Sequence, residues 1–97
     1  MPNMKAILLL RERHVLDRNT FAELRVWKVP EPVPGSAHNF KYSLAFIVDG
    51  ICVVRYDNEQ GKGDHCHNRT NEVHYDFSSP EQLIADFWAS IDSWRSS

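Results

Sequence analysis

Hydrophobic and polar positions alternate along most of the chain, and the spacing becomes helical only near its end. Residues 5–16 hold an apolar run followed by charges, which indicates a strand that starts in the core and ends in solvent. The turn "DRN" leads into a second strand, "TFAELRVWKV", which stops where "PEPVPG" forbids ladder pairing. This part of the chain therefore predicts two strands and a proline-rich break.

The clearest local signal is a hairpin within residues 39–57, where two alternating runs are joined by Asp49-Gly50. This dipeptide favours the positive φ that a type I′ turn requires at both central positions. With that turn, two-residue steps along the ladder predict these facing pairs: Val48 with Ile51, Phe46 with Val53, Leu44 with Arg55, and Tyr42 with Asp57. The apolar face of the hairpin would then become polar at the rim of the core.

The last third of the chain predicts a short strand, "EVHYDF", and an amphipathic helix, "SSPEQLIADFWASIDSWR". Ser79 is typical of an N-cap, Pro80 suits the first helical position, and Gln82 completes a capping box. Helical spacing gives one broad apolar face made of Leu83, Ile84, Phe87, Trp88, Ile91 and Trp94. The expected fold class is α+β: an antiparallel sheet of about five strands with this C-terminal helix packed on one face.

Composition changes this picture little but excludes several classes of protein. With 97 residues, 42% of them apolar and 25% charged, the chain is expected to be one folded domain over residues 1–97. A net charge of −2 gives no overall basic field to attract nucleic acid. The apolar run near the start is too short for a signal sequence or a membrane span, and two dissimilar cysteines predict no disulfide. We therefore expect a cytoplasmic protein without a membrane partner.

The segment "YDNEQGKGDHCHNR" carries the candidate chemistry, because it is too polar to fill a core. Gly61 and Gly63 flank Lys62, and they allow positive φ that can turn backbone N–H groups toward an anion such as phosphate. The triplet lacks the spacing of a P-loop, so by itself it is equally compatible with a flexible turn.

His65 and His67 are one residue apart, so on an extended backbone both imidazoles lie on the same side. Metal-free RNA cleavage needs a base for the 2′-hydroxyl, an acid for the leaving oxygen, and cations for the phosphate. Lys62 and Arg55 can supply the cations. Asp57 or Asp64 can orient an imidazole.

The same segment leaves a metal site and a purely structural interpretation open. Four consecutive residues, "DHCH", cannot all turn to one ion, and no second Cys/His pair has zinc-finger spacing, so a structural zinc site is not expected. A catalytic metal held by His65, His67 and a third ligand stays open, as does a solvated hairpin loop. Cys66 alternates away from the histidines, Cys52 is expected in the core, and His14 and His38 receive no role.

The strings "PVPGSAHNFKY" and "RYDNEQGKGDHCH", followed by the tryptophan-bearing end "LIADFWASIDSWR", resemble the TumE family, the toxins of bacterial and archaeal TumE/TumA toxin–antitoxin pairs. The resemblance covers nearly the whole chain. It implies a small cytoplasmic toxin that a helix-turn-helix antitoxin binds and neutralises, with RNA cleavage or translational arrest as its action. The family often carries Arg between the two histidines, where this sequence has Cys66, which would remove a cation from the site.

The leading hypothesis is therefore the toxin of a type II toxin–antitoxin system that acts as a metal-independent endoribonuclease, with RNA as substrate and no cofactor. The candidate catalytic residues are His65, His67, Lys62, Arg55, Asp57 and Asp64. Two alternatives remain: a non-catalytic module that blocks a host protein, and a metal-dependent nuclease. Whether the chain forms a homodimer is left open.

Overall fold

The computed structural model describes residues 5–59 and 61–96, in which six strands precede one helix. The elements are β1 (Ile7–Asp17), β2 (Thr20–Lys28), β3 (Phe40–Val48), β4 (Ile51–Asp57), β5 (His65–Asn68), β6 (Asn71–His74) and α1 (Pro80–Arg95). The strands form one sheet in chain order, and each pairs antiparallel with its neighbours. The α+β class is confirmed.

The two faces of the sheet differ because strand side chains alternate between them. One face packs against α1, and the buried core lies between them: Ala22, Leu24, Val26, Tyr42, Leu44, Phe46, Val54, Tyr56, Leu83, Phe87 and Ile91. The opposite face, which we call the open face, carries the intervening residues of the same strands. Burying apolar area on one side only leaves this second side available for polar chemistry.

The helix begins as the sequence predicts. The Ser79 hydroxyl oxygen accepts a hydrogen bond of 3.0 Å from the backbone N–H of Gln82, and Pro80 occupies the first turn. The reciprocal half of the predicted capping box is wrong, because the Gln82 amide donates to Asp86 Oδ1 at 2.8 Å instead. With 16 residues, α1 is neither long nor apolar enough to cross a membrane, and the described residues hold no other helix that is.

The sheet has one strand more than predicted, because part of the polar segment is itself a strand. His65–Asn68 pairs with β4 on one side and with β6 on the other. Arg69, at φ +60°, lies in the two-residue turn between β5 and β6. Little in this short polar stretch favours a strand locally, so pairing on both sides decides its conformation.

The predicted hairpin turn is confirmed, but most of the predicted register is wrong. Asp49 and Gly50 have φ of +52° and +79°, and Val48 faces Ile51. An irregularity next to Phe46 then shifts the ladder, so that the actual pairs are Phe46 with Val54, Ala45 with Arg55, Leu44 with Tyr56, and Ser43 with Asp57. A slip of one residue reverses the faces, and Arg55 and Asp57 therefore lie on the open face.

The proline-rich connection between β2 and β3 packs against the polar segment at a glycine–glycine crossing. Gly35 has φ +92°, and a Cβ added there would lie 2.5 Å from the backbone nitrogen of Gly63. A contact this close admits no side chain at either position. The crossing holds the connection against the chain just before the start of β5.

Candidate active site

Five of the six predicted residues line one cavity of about 310 Å³ on the open face. They are Arg55, Asp57, Lys62, His65 and His67, and the cavity is completed by Cys52 and Glu72. Residues from β4, β5, β6 and the loop before β5 therefore meet in one place. The sixth predicted residue, Asp64, does not line this cavity.

The strand register explains how these side chains come together. On neighbouring strands, Asp57 faces His65 and Arg55 faces His67. One strand further, Glu72 faces His67. Directly opposed residues of antiparallel strands point to the same face, so the two histidines lie between the β4 pair and Glu72.

His65 is almost enclosed, with 7% of its surface exposed, and both ring nitrogens have partners. Nδ1 lies 3.0 Å from the carbonyl oxygen of Gly63, which can only accept, so Nδ1 carries a proton. Nε2 lies 3.2 Å from Asp57 Oδ1 and 3.1 Å from Glu72 Oε2. The backbone thus holds Nδ1–H, and Nε2 lies within ion-pair distance of two carboxylate groups.

Asp57 is the most deeply buried charged group of the cavity, with 1% of its surface exposed. Its Oδ2 accepts a 3.3 Å hydrogen bond from Arg55 Nη1. Its Oδ1 makes no hydrogen bond within residues 5–59 and 61–96, because the contact with His65 Nε2 is close but poorly aligned. A buried acceptor without a hydrogen bond costs about 1–3 kcal/mol. This cost indicates that the arrangement is not optimised for stability alone.

The two cations of the cavity are both paired with carboxylates. Burial lowers the pKa of Arg55, but contacts with Cys52 and Asp57 outweigh it and raise that pKa, so the guanidinium stays charged. Lys62 Nζ lies 3.4 Å from Glu72 Oε2 in an exposed pair that contributes little to stability. Since two cations face two carboxylates, the net charge of the cavity follows the protonation of its histidines.

The described residues contain no group of three His, Cys, Asp or Glu side chains arranged to hold a metal ion.

Asp64 lies in a different polar cluster. Its carboxylate accepts hydrogen bonds from Ser36 Oγ at 2.6 Å, His38 Nε2 at 2.6 Å and Tyr42 Oη at 2.7 Å. Burial raises the pKa of Asp64, but the three hydrogen bonds outweigh it and keep that pKa below its usual value. Asp64 thus orients an imidazole, but that imidazole belongs to His38.

Asn58 completes this second cluster and is fully buried. Its side-chain oxygen accepts from the Tyr42 backbone N–H at 3.0 Å, and its amide donates to Ser36 Oγ at 3.1 Å and to the Phe40 carbonyl at 2.8 Å. We call Ser36, His38, Tyr42, Asn58 and Asp64 the anchor, because they join the proline-rich connection to the sheet. The imidazole of His38 also stacks on Phe77, with ring centroids 3.8 Å apart.

Several other expectations change once faces are assigned. Gly63 is buried, meets Gly35 and binds His65 through its carbonyl, whereas Gly61, at φ +76°, has open space around it.

Cys52 is exposed at the cavity, so its predicted place in the core is wrong. Cys66 faces Tyr56 on the helix side, where burial raises the pKa of its thiol. Position 66 therefore lies outside the cavity, and having Cys66 there instead of the family's frequent Arg removes no cation from the cavity.

Sequence reasoning missed Glu72 and most of the anchor. Glu72 is separated by one residue from His74 in an alternating strand, and a predicted β5–β6 hairpin would have placed it beside the histidines. Ser36, Tyr42 and Asn58 carry no local signal, because each finds its partner 16 or more positions away. Only the folded chain brings them together.

A family model described as "Toxin TumE" matches residues 5–95, a range that includes both the cavity and the anchor. No curated protein matches the chain, and no solved structure matches it either.

Proposed function

The chain belongs to the TumE family of toxins, and we propose on that premise that it is the toxin of a type II toxin–antitoxin system and a metal-independent endoribonuclease. Family membership supports the toxin role and implies an antitoxin partner. The observation that supports ribonuclease chemistry is the open-face cavity, which combines two histidines, two cations and two carboxylates. RNA is the proposed substrate, and a helix-turn-helix protein is the proposed antitoxin.

The proposed reaction is an internal transesterification that needs no group from outside the chain. A base removes the proton of the 2′-hydroxyl, and the 2′-oxygen forms a bond to phosphorus. The bond between phosphorus and the 5′-oxygen breaks, and an acid gives that oxygen a proton. The products are a 2′,3′-cyclic phosphate and a free 5′-hydroxyl, and the two protons balance.

The geometry favours different roles for the two histidines. We assign His65 as the acid, because its backbone contact fixes the ring with Nε2 as the nitrogen that faces the cavity. We assign His67 as the base, since no hydrogen bond to its ring occurs in the described part of the chain and it is less buried than His65. Two residues of a strand span roughly 7 Å, which leaves room for a phosphate between the rings.

The remaining residues stabilise charge and position the acid. Arg55 and Lys62 lie where they can offset the negative charge that builds on the phosphate. Asp57 Oδ1 lies 3.2 Å from His65 Nε2, and this close contact with the carboxylate positions the ring of the acid. Glu72 contacts both Lys62 and His65, so a substrate that binds these two residues competes with the Glu72 carboxylate for them.

A non-catalytic binding module is the second candidate, and one observation favours it. Among the described residues β1 is an edge strand of the sheet, and it exposes Ile7, Leu8 and Leu9 by 61%, 49% and 50%. An exposed apolar edge strand is a typical site for strand pairing with another protein. In that case growth inhibition would not depend on the histidines.

The deciding experiment is cleavage of mixed cellular RNA by the purified protein, with and without EDTA. We compare the wild type with His65→Ala, His67→Ala and the double variant. His74→Ala is the matched control, because His74 is exposed and pairs only with Asp76 among the described residues. Each cavity variant is expected to lower the cleavage rate at least about 100-fold and to stay folded, while the control keeps the wild-type rate.

Each outcome has a distinct meaning. Cleavage that resists EDTA, leaves cyclic phosphate ends and disappears in the variants supports the proposal. Loss of cleavage with EDTA, and recovery with one divalent ion, assigns the same histidines to a metal-dependent nuclease. A folded wild type that cleaves no RNA overturns the nuclease proposal in favour of the binding module.

A further inference from the structure

The open face carries two continuous rows of side chains that run across all six strands. The pairing of neighbours defines the first row as Arg11, Arg25, Ser43, Asp57, His65 and His74. The second row is Arg13, Glu23, Ala45, Arg55, His67 and Glu72. The candidate active site occupies the β4–β6 end of both rows, where His74 is the one member that does not line the cavity, and arginines occupy the β1–β2 end.

The arginine end forms a second cavity of about 310 Å³, lined by Arg11, Glu12, Arg13, Glu23 and Arg25. Arg11 and Arg25 are direct cross-strand partners, and both are exposed. Like charges that face each other on neighbouring strands destabilise the sheet. Because folding gains nothing from this pair, an anion that lies between the two guanidinium groups is its natural partner.

The carboxylates nearby do not neutralise this cluster. Glu23 is shared between Arg13, at 3.2 Å, and Arg25, at 3.9 Å. Glu12 accepts a 2.7 Å contact from His14, which lies on the helix side of β1. Within the described residues Arg11 has no ion pair. The cluster therefore offers guanidinium donors that no carboxylate of its own occupies.

Between the two cavities, the open face carries small side chains, and we call this shallow region the floor. Ser43 and Ala45 are the β3 members of the two rows, and both side chains are small. From Arg25 on β2 to His65 on β5 is three strand spacings, roughly 14 Å. A flexible strand of RNA can cross this floor with one phosphate in each cavity.

We propose that Arg11 and Arg25 form a phosphate-binding site for the RNA strand whose scissile phosphate lies between His65 and His67. This inference rests on the proposed ribonuclease function and adds the direction of the substrate, which runs across the strands from β5 toward β1. Arginine suits the role because its planar donors bind phosphate in pairs. The site contributes to RNA affinity without reading base sequence.

The first test measures binding of a fluorescent 2′-O-methyl oligonucleotide, which lacks the attacking hydroxyl. The test variant is Arg11→Gln/Arg25→Gln. The control, Arg18→Gln/Lys28→Gln, removes the same charge from positions outside both cavities. We expect the test variant to raise Kd about tenfold, and to reduce the slope of log affinity against log salt by about 0.7 because the contact with one phosphate is lost. The control is expected to match the wild type.

The second test measures cleavage kinetics on a long oligonucleotide and on a dinucleotide. The arginine variant is expected to raise KM for the long substrate with little loss in kcat, and the difference from wild type should shrink for the dinucleotide, which is too short to reach both cavities. Urea unfolding and circular dichroism establish that both double variants are folded.

The results separate this inference from the proposed function. If the wild type cleaves RNA but the arginine and control variants bind it equally, the arginine site is wrong and the nuclease stands. If the wild type binds RNA through the arginines but cleaves none, the nuclease fails and the phosphate site stands. A folded wild type that neither binds nor cleaves RNA overturns both. Loss of antitoxin capture in the arginine variant, with RNA binding unchanged, assigns the cluster to a protein partner and overturns the inference.

Discussion

Neighbouring residues of the same polar segment divide between the cavity and the anchor, yet the two regions have opposite properties. Asp57 belongs to the cavity and Asn58 to the anchor, and the same division separates His65 from Asp64. Chain direction alone accounts for this, because successive residues near a strand turn to opposite faces. A single stretch of sequence therefore supports two regions with different tasks.

The difference lies in how completely each region satisfies its polar groups. In the anchor, the Asp64 carboxylate accepts three hydrogen bonds and Asn58 uses both ends of its amide. In the cavity, Asp57 Oδ1 is buried without a hydrogen bond in the described residues, and Lys62 is exposed. The anchor is therefore built for stability, whereas the cavity gives up stability to keep its polar groups available.

The largest effect is expected from removal of the anchor carboxylate. Asp64→Ala leaves one buried and two partly buried donors without their acceptor, so we expect a loss of about 3–5 kcal/mol in the free energy of unfolding, measured by urea titration. His67→Ala, in the cavity, is the contrasting variant and should change stability by less than about 0.5 kcal/mol. Equal losses in the two variants would contradict the division between the regions.

The next effect tests the glycine crossing that holds the anchor in place. Gly35→Ala should lose about 2–4 kcal/mol of unfolding free energy, because its new Cβ meets the backbone of Gly63 in addition to the strain of positive φ. Gly61→Ala is the matched control, since it has the same φ region but open space, and should lose about 1 kcal/mol. A difference below about 0.5 kcal/mol between these variants would show that the backbone at the crossing moves apart to accommodate the Cβ at little cost in stability.

A pH titration of stability sharpens the comparison further. Because the folded-state pKa of Asp64 lies below its unfolded value of about 3.9, its contribution is present above that value and is lost as pH falls through the folded pKa. Urea midpoints measured from about pH 6 to pH 2 should therefore fall less steeply in Asp64→Asn than in the wild type. Parallel curves for the two proteins would remove Asp64 from the causes of acid unfolding.

The smallest expected effect has the opposite sign. Arg11→Gln removes one member of the facing arginine pair, so we expect the free energy of unfolding to rise by about 0.2–0.5 kcal/mol at low salt. The gain should disappear at high salt, where the repulsion is screened. A loss of stability on this substitution would mean that the arginine end of the open face supports the fold.

Much of the secondary structure could be predicted from the sequence, because its signals are local. The turn at Asp49-Gly50 and the cap at Ser79 depend on backbone preferences within four residues. The candidate site was predicted in large part for a similar reason: the spacing of His65 and His67 places both on one side of a strand, wherever that strand lies. Asp64 was grouped with them as a carboxylate that could orient an imidazole, and the structure places it against His38, Ser36 and Tyr42 instead.

What the sequence alone determined is the strands other than β5, the capped helix, its apolar face, and a polar segment with two histidines beside cations. The tertiary structure decided the irregularity near Phe46, which moved Arg55 and Asp57 to the open face, and the strand pairing that placed Glu72 beside His65. It also directed Asp64 to His38, 26 residues away. The physical reason is range: propensity acts over a few neighbouring residues, whereas register and buried hydrogen bonds depend on partners that only the packed sheet and helix bring together.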